Sequence, residues 1–145
     1  MAKLGPGGFP PLFDRLVTPQ EGLLTRRMEV SEIRDSIQRS LQSLVASRSP
    51  RSLERYLSSA LTTLDWGVPD FGSLSPTTEA DRRLMSKVIE KAITSFEPRL
   101  CDPHVKALAP SGPSSVVARF EIQATLTLHP LLEQLSFSVG VSRAQ

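Results

Sequence analysis

Phe96-Glu97-Pro98-Arg99-Leu100 divides the chain into two kinds of pattern, helix and loop before it and strand after it. Pro98 lacks a backbone N–H and its ring pushes Glu97 out of the helical region, so a helix arriving from upstream has to stop near Phe96. The peptide dipoles at a helix C-terminus already carry partial negative charge, so a carboxylate at Glu97 calls for a cation. Arg99, two residues on, supplies one.

Working upstream, Leu84, Met85, Val88, Ile89, Ala92, Ile93 and Phe96 fall on one stripe, with Arg82, Arg83, Lys87, Glu90 and Lys91 largely elsewhere. That predicts an amphipathic helix capped by Ser75, with Pro76 in its first position, running to Phe96. Ile33, Ile37, Leu41 and Leu44 predict an earlier helix from about Ser31 to Ser47, with Ser31 as cap and Glu32 in the first turn. Ser47-Arg48-Ser49-Pro50-Arg51 breaks it. Leu53, Tyr56, Leu57, Leu61 and Leu64 then predict a helix from about Ser52 to Asp65, closed by Gly67. The β-branched Thr62 and Thr63 leave a strand through Leu61–Trp66 open. Trp66 to Gly72 reads as a turn with Trp66 and Phe71 as core anchors.

Downstream, Val105, Ala107 and Ala109 suggest a strand ended by the turn residues Pro110-Ser111-Gly112-Pro113. Phe120, Ile122, Ala124, Leu126 and Leu128 alternate with polar residues from Arg119 to His129, which places one face of a strand inward. A loop over His129–Gln134 leads to a third strand with Leu135, Phe137, Val139 and Val141 on its apolar face. Sequential strands with short links form an antiparallel meander, whose apolar face the 75–96 helix covers. The fold class is α+β, a helical N-terminal half packed on a C-terminal antiparallel meander. Residues 1–30 form an irregular N-terminal arm, with one short amphipathic patch at Leu12-Phe13-Asp14-Arg15-Leu16, and 31–145 a single domain.

The length of 145 residues suits one core. Seventeen Lys and Arg against fifteen Asp and Glu is nearly balanced, which argues against a nucleic-acid module. The pairs Arg26-Arg27 and Arg82-Arg83, and Arg48 with Arg51, stand among acidic neighbours as a solvated surface does. Cys101 is the sole cysteine, so neither an internal disulfide nor a cysteine-rich metal site is available. With no signal-peptide core and no apolar run near the roughly 20 residues of a membrane span, the expected location is cytoplasmic.

Three blocks taken together, Leu12-Phe13-Asp14-Arg15-Leu16, Trp66-Gly67-Val68-Pro69-Asp70-Phe71 and Phe96-Glu97-Pro98-Arg99-Leu100, resemble the TssE family. These are type VI secretion baseplate subunits related to the baseplate wedge protein of contractile-tailed phages, long labelled lysozyme-like. The likeness spans about residues 12–142. Its most specific part is the Glu-Pro-Arg-Leu block between helix and strand. Ala46-Ser47-Arg48-Ser49-Pro50-Arg51 departs from the Thr-Arg-Arg-Gly or Gly-Glu-Arg type segment of many relatives.

The resemblance implies a structural baseplate component, not an enzyme, that links wedge subunits to the contractile sheath and helps seed sheath assembly. Its partners would be the larger wedge subunits of TssF, TssG and TssK type, and sheath subunits of TssB/TssC type met by strand addition. Neither nucleic acid nor membrane insertion is implied, and no cofactor or metal. The partner-binding residues would be Glu97, Pro98 and Arg99. From the residues alone, Glu97 and Arg99 read first as a local ion pair that ends a helix, worth about 0 to 1 kcal/mol if exposed, and it is the resemblance that favours a partner-gripping arginine instead.

Two other functions stay in view. A peptidoglycan-cleaving hydrolase needs two carboxyl groups about 5 to 9.5 Å apart across a cleft, and Glu97 with Asp102 is the nearest pair beside the hinge. A wedge protein of a phage tail or another contractile injection particle would carry the same motifs. His104 and His129 lack partners at metal-ligand spacing, Ser114-Ser115 lacks a nucleophile context, and Cys101 reads as a small filler.

Overall fold

A computed structural model describes residues 29–110, 112, 117–128 and 131–142. The arm expected over residues 1–30 thus lies almost wholly outside the described residues, as do His129 and Ser114-Ser115. The elements in order are α1 (Val30–Ala46), α2 (Leu53–Ser58), a 3-10 turn (Thr63–Asp65), α3 (Glu79–Phe96), β1 (Leu100–Ala107), β2 (Val117–Leu128) and β3 (Leu131–Ser142). The strands form one antiparallel sheet in the order β1-β2-β3, the expected meander. Helix α3 packs mainly on β1 and α1 on β3, so two helices rather than one cover the apolar face.

The core follows the periodicities. Ile33, Ile37, Leu41 and Leu44 of α1 and Met85, Val88, Ile89, Ala92 and Ile93 of α3 are buried. They meet Phe120, Ile122, Ala124 and Leu126 of β2 and Leu135, Phe137, Val139 and Val141 of β3, the inward residues of two alternating strands. No helix among the described residues is long and apolar enough to cross a membrane.

Several boundaries differ from expectation. Ser31 lies inside α1 instead of capping it, and the Glu32 carboxylate accepts the Glu29 N–H at 2.8 Å, which moves the start upstream. Helix α3 begins after Thr78, not at Ser75-Pro76. Asp81 reaches back to accept the Ser75 N–H at 2.8 Å, and Arg82 donates to the Pro76 and Thr77 carbonyls, holding 75–78 as a turn. The second helix stops at Ser58 because Lys91 of α3 donates to the carbonyls of Leu57 and Ser59 at 2.8 and 2.7 Å, a cation at a helix C-terminus. Strand β3 starts at Leu131, inside the expected loop.

Strand β1 also starts earlier than its alternation shows. Leu100 and Val105 are both buried, five residues apart, which a regular two-residue period forbids. Between Cys101↔Thr125 and His104↔Gln123 the strand carries one extra residue, and Asp102 there has φ 49. That bulge restores the phase and bends the strand.

Candidate functional site

The hinge is built from both ends. Glu97 N–H closes α3 on Ile93 O at 2.8 Å, Leu100 N–H donates to Glu97 O at 3.1 Å, and Thr127 N–H of β2 donates to Arg99 O at 2.8 Å. Between these anchors Pro98 is exposed while Glu97 is only 2% exposed. The Arg99 guanidinium grips the Glu97 carboxylate through both oxygens, Nε to Oε1 at 2.6 Å and Nη2 to Oε2 at 2.8 Å. Its Nη1 donates to Ser36 Oγ on α1 at 3.0 Å. The pair forms as the spacing suggests, but buried rather than at the surface, and it ties the end of α3 and the start of β1 to α1.

A guanidinium has five N–H donors, of which these contacts use one on each nitrogen. The second N–H on Nη1 and on Nη2 meets no acceptor among the described residues, and the side chain remains 21% exposed. Arg99 therefore has three N–H donors committed to Glu97 and Ser36 and two that remain uncommitted among the described residues.

The carboxylate pair proposed for glycan cleavage is not arranged as a cleft. Glu97 faces inward with both oxygens held, whereas Asp102 is exposed at the bulge and lines a shallow groove with His104, Gln123 and Gln134. Among the described residues no group of three or more His, Cys, Asp or Glu side chains is placed to hold a metal ion. Cys101 is half-buried and has no disulfide partner.

A second polar cluster supports the hinge from the side of the 66–72 turn. Arg51 donates to Asp65 through Nε at 2.6 Å and Nη2 at 3.0 Å, and to Ser59 Oγ at 2.9 Å. Asp65 also accepts the Thr62 N–H at 2.8 Å, which fixes the 3-10 turn where a continuous helix was expected. The Arg51 hydrogen bond, helped by the Thr62 N–H, holds the Asp65 carboxyl down at about 2. Tyr56 donates to Gly67 O at 2.7 Å, and burial, aided by the Asp65 charge, pushes its phenol up to about 12.

Gly67 has φ +104 and sits against the strand-like Ser47–Ser49 segment, with Val68 N–H on Ser47 O at 3.0 Å and Ser49 N–H on Val68 O at 2.9 Å. A Cβ there would lie 2.7 Å from Ser47 O. The glycine is needed, but for this close approach and not as a helix cap.

Phe71 is a core anchor at 3% exposure, whereas Trp66 is 37% exposed and stacks at 5.4 Å, tilted, on Phe96 at the end of α3. Leu64, two residues earlier, is 85% exposed. Apolar surface thus stands next to the hinge, which the reading of Trp66 as core missed.

Ser36 and Asp65 were not singled out in the sequence. Ser36 had a signal, as a small polar residue inside the Ile33–Leu41 apolar stripe. Asp65, fourteen residues from Arg51, had none.

Residues 31–131 match the model of the family described as baseplate wedge protein gp25. Among solved structures, a chain from "The baseplate complex from the type VI secretion system" aligns with TM-score 0.51 and 16% identity, over 77% of this chain and 96% of that one. At that identity the likeness is one of fold. No curated protein matches the chain.

Proposed function

The chain belongs to the baseplate wedge protein gp25 family, and from that premise we propose that it is a non-enzymatic structural component of a type VI secretion baseplate, of the TssE kind. Family membership over 31–131 carries the reading, because that span contains all of α1 but its first residue, all of α3, the hinge, and the whole of β1 and β2. The fold shared with a chain of a type VI secretion baseplate favours a secretion system over a phage tail. The domain of 31–145 would act in the cytoplasm, with the arm of 1–30 as an additional docking segment.

In this reading Glu97, Pro98 and Arg99 are the partner-binding block for wedge subunits of TssF, TssG and TssK type. The buried half of the Glu97–Arg99 pair fixes the guanidinium, and its two uncommitted N–H groups, with the exposed Pro98 next to Arg99 in the chain, would meet the partner. A planar fork held in place suits a carboxylate or paired carbonyls, which a lysine cannot reproduce. Sheath subunits of TssB/TssC type would join by strand addition, which helps seed assembly.

Co-purification with the large wedge subunits tests this. Arg99→Lys keeps a cation beside Glu97 while removing the fork, and Pro98→Ser removes the exposed ring while the Leu100 N–H on Glu97 O and the Thr127 N–H on Arg99 O still hold the hinge. The reading expects both to lose the wedge subunits while remaining folded by circular dichroism; undiminished co-purification by both would overturn it.

A further inference from the structure

We propose that the outer edge of β1, beside the groove between β1 and α3, accepts an extended acidic segment of another protein as an added strand. The inference gives the strand-addition reading an edge and a chemistry, and it rests on that reading for the mode of contact.

The two edges of the sheet differ. On β3, Arg34 Nη2 and Gln38 Nε2 of α1 donate to the outward carbonyls of Ser136 and Ser138 at 3.3 and 3.1 Å, so helix side chains already occupy that edge. On β1, Leu108 N–H donates to Arg119 O at 2.8 Å. Alternation then turns the backbone of Lys106 toward β2 and those of Val105 and Ala107 outward. The bulge at Asp102 and the adjacent Pro103 blunt the first half of this edge, as edge strands commonly are. Glu90 Oε1 accepts the Val105 N–H at 2.9 Å. The N–H of Ala107 and the carbonyls of Val105 and Ala107 remain, with no partner among the described residues.

Charge selects the occupant. Arg82, Arg83, Lys87 and Lys106 line the groove, and among the described residues its acids are Glu79 and Glu90. Glu79 is paired with Arg83, and Glu90, held by the neutral Val105 amide, keeps its charge, which leaves four cations against two carboxylates on the groove. Arg82 is committed to the Pro76 and Thr77 carbonyls. Lys87 and Lys106 are exposed and meet no acceptor among the described residues. Successive side chains of an added strand point to opposite faces, so one face would pass Lys87 on α3 and the other Lys106 on the outer face of β1. Acidic residues on both faces therefore complement this edge, and like charges would be repelled. Two free lysines are too few for the several phosphate contacts of duplex DNA.

Backbone NMR of the full chain, titrated with a synthetic peptide of alternating glutamate and valine and with its lysine counterpart, tests the proposal. The expected result is movement of the 105–109 amides and slowed exchange at Ala107 with the glutamate peptide alone. Lys87→Glu with Lys106→Glu, both exposed, should weaken binding about tenfold, the combined effect of two exposed charge contacts. Ala107→Pro should abolish it, since it removes an outward N–H without removing a bond to β2. Shifts confined to residues 136–142, equal binding of the lysine peptide, or no shift with either peptide would each overturn it. An Ala107 amide already protected in the free chain would overturn it too, by showing that the chain covers its own edge. Wedge co-purification by the parent chain is read separately: its absence with peptide binding intact strikes the baseplate reading alone, and its presence without peptide binding strikes this inference alone.

Discussion

Replacing Arg99 by methionine removes the guanidinium and leaves the Glu97 carboxylate, 2% exposed, with neither oxygen answered. Breaking one side of a buried ion pair costs about 3 to 5 kcal/mol, chiefly because the remaining charge is stranded away from water. Arg99 itself is 21% exposed, so water reaches the vacated space and the lower end, about 3 kcal/mol, applies. For a domain of this size that is roughly a 10 °C fall in Tm. Urea denaturation followed by circular dichroism measures it directly. Glu97→Met combined with Arg99→Met should recover most of the loss, because an apolar pair of similar size often replaces a buried ion pair without penalty. A single variant within about 1 kcal/mol of the parent, or a double variant as unstable as the single, would refute the buried-pair account.

Three further outcomes follow from the supporting cluster. Gly67→Ala should destabilise by about 3 kcal/mol or more by denaturant titration, since φ +104 is strained for alanine and the new Cβ meets the Ser47 carbonyl. Tyr56 is the only tyrosine, so phenolate absorbance should show it titrating near 12 in the folded chain and near 10 in urea. Because the folded value is raised, its stabilisation holds below pH about 10 and is lost as pH rises toward 12. For Asp65 the folded value is lowered, so its contribution holds above about 4 and is lost as pH falls toward 2; Asp65→Asn should flatten that acid limb of the stability curve.

The hinge was legible because its causes are local. Pro98 ends α3 through its own ring, and Arg99 reaches Glu97 across two residues. Its burial was not legible, since that depends on α1 crossing over it and on Ser36, 63 residues away in sequence. The same distinction explains the second helix. Leu61 and Leu64 keep a helical spacing, yet Lys91 from α3 and Arg51 acting through Asp65 end the helix early, and Leu64 is left at the surface. In β1 the alternation was visible only after the bulge, because one extra residue puts Leu100 out of phase with Val105. Strands β2 and β3 showed in the sequence because their alternation is uninterrupted over the residues that face the helices. The exposure of Trp66 was missed because an aromatic beside a turn reads the same whether it faces the core or a partner.

The most direct test of the central claim is co-purification of the large wedge subunits with the parent chain, Pro98→Ser and Arg99→Lys, each confirmed as folded. A baseplate component that binds through this block predicts that the parent retains the wedge subunits and that both variants lose them. A folded parent that retains no wedge subunit, or variants that retain them as fully as the parent, would contradict it.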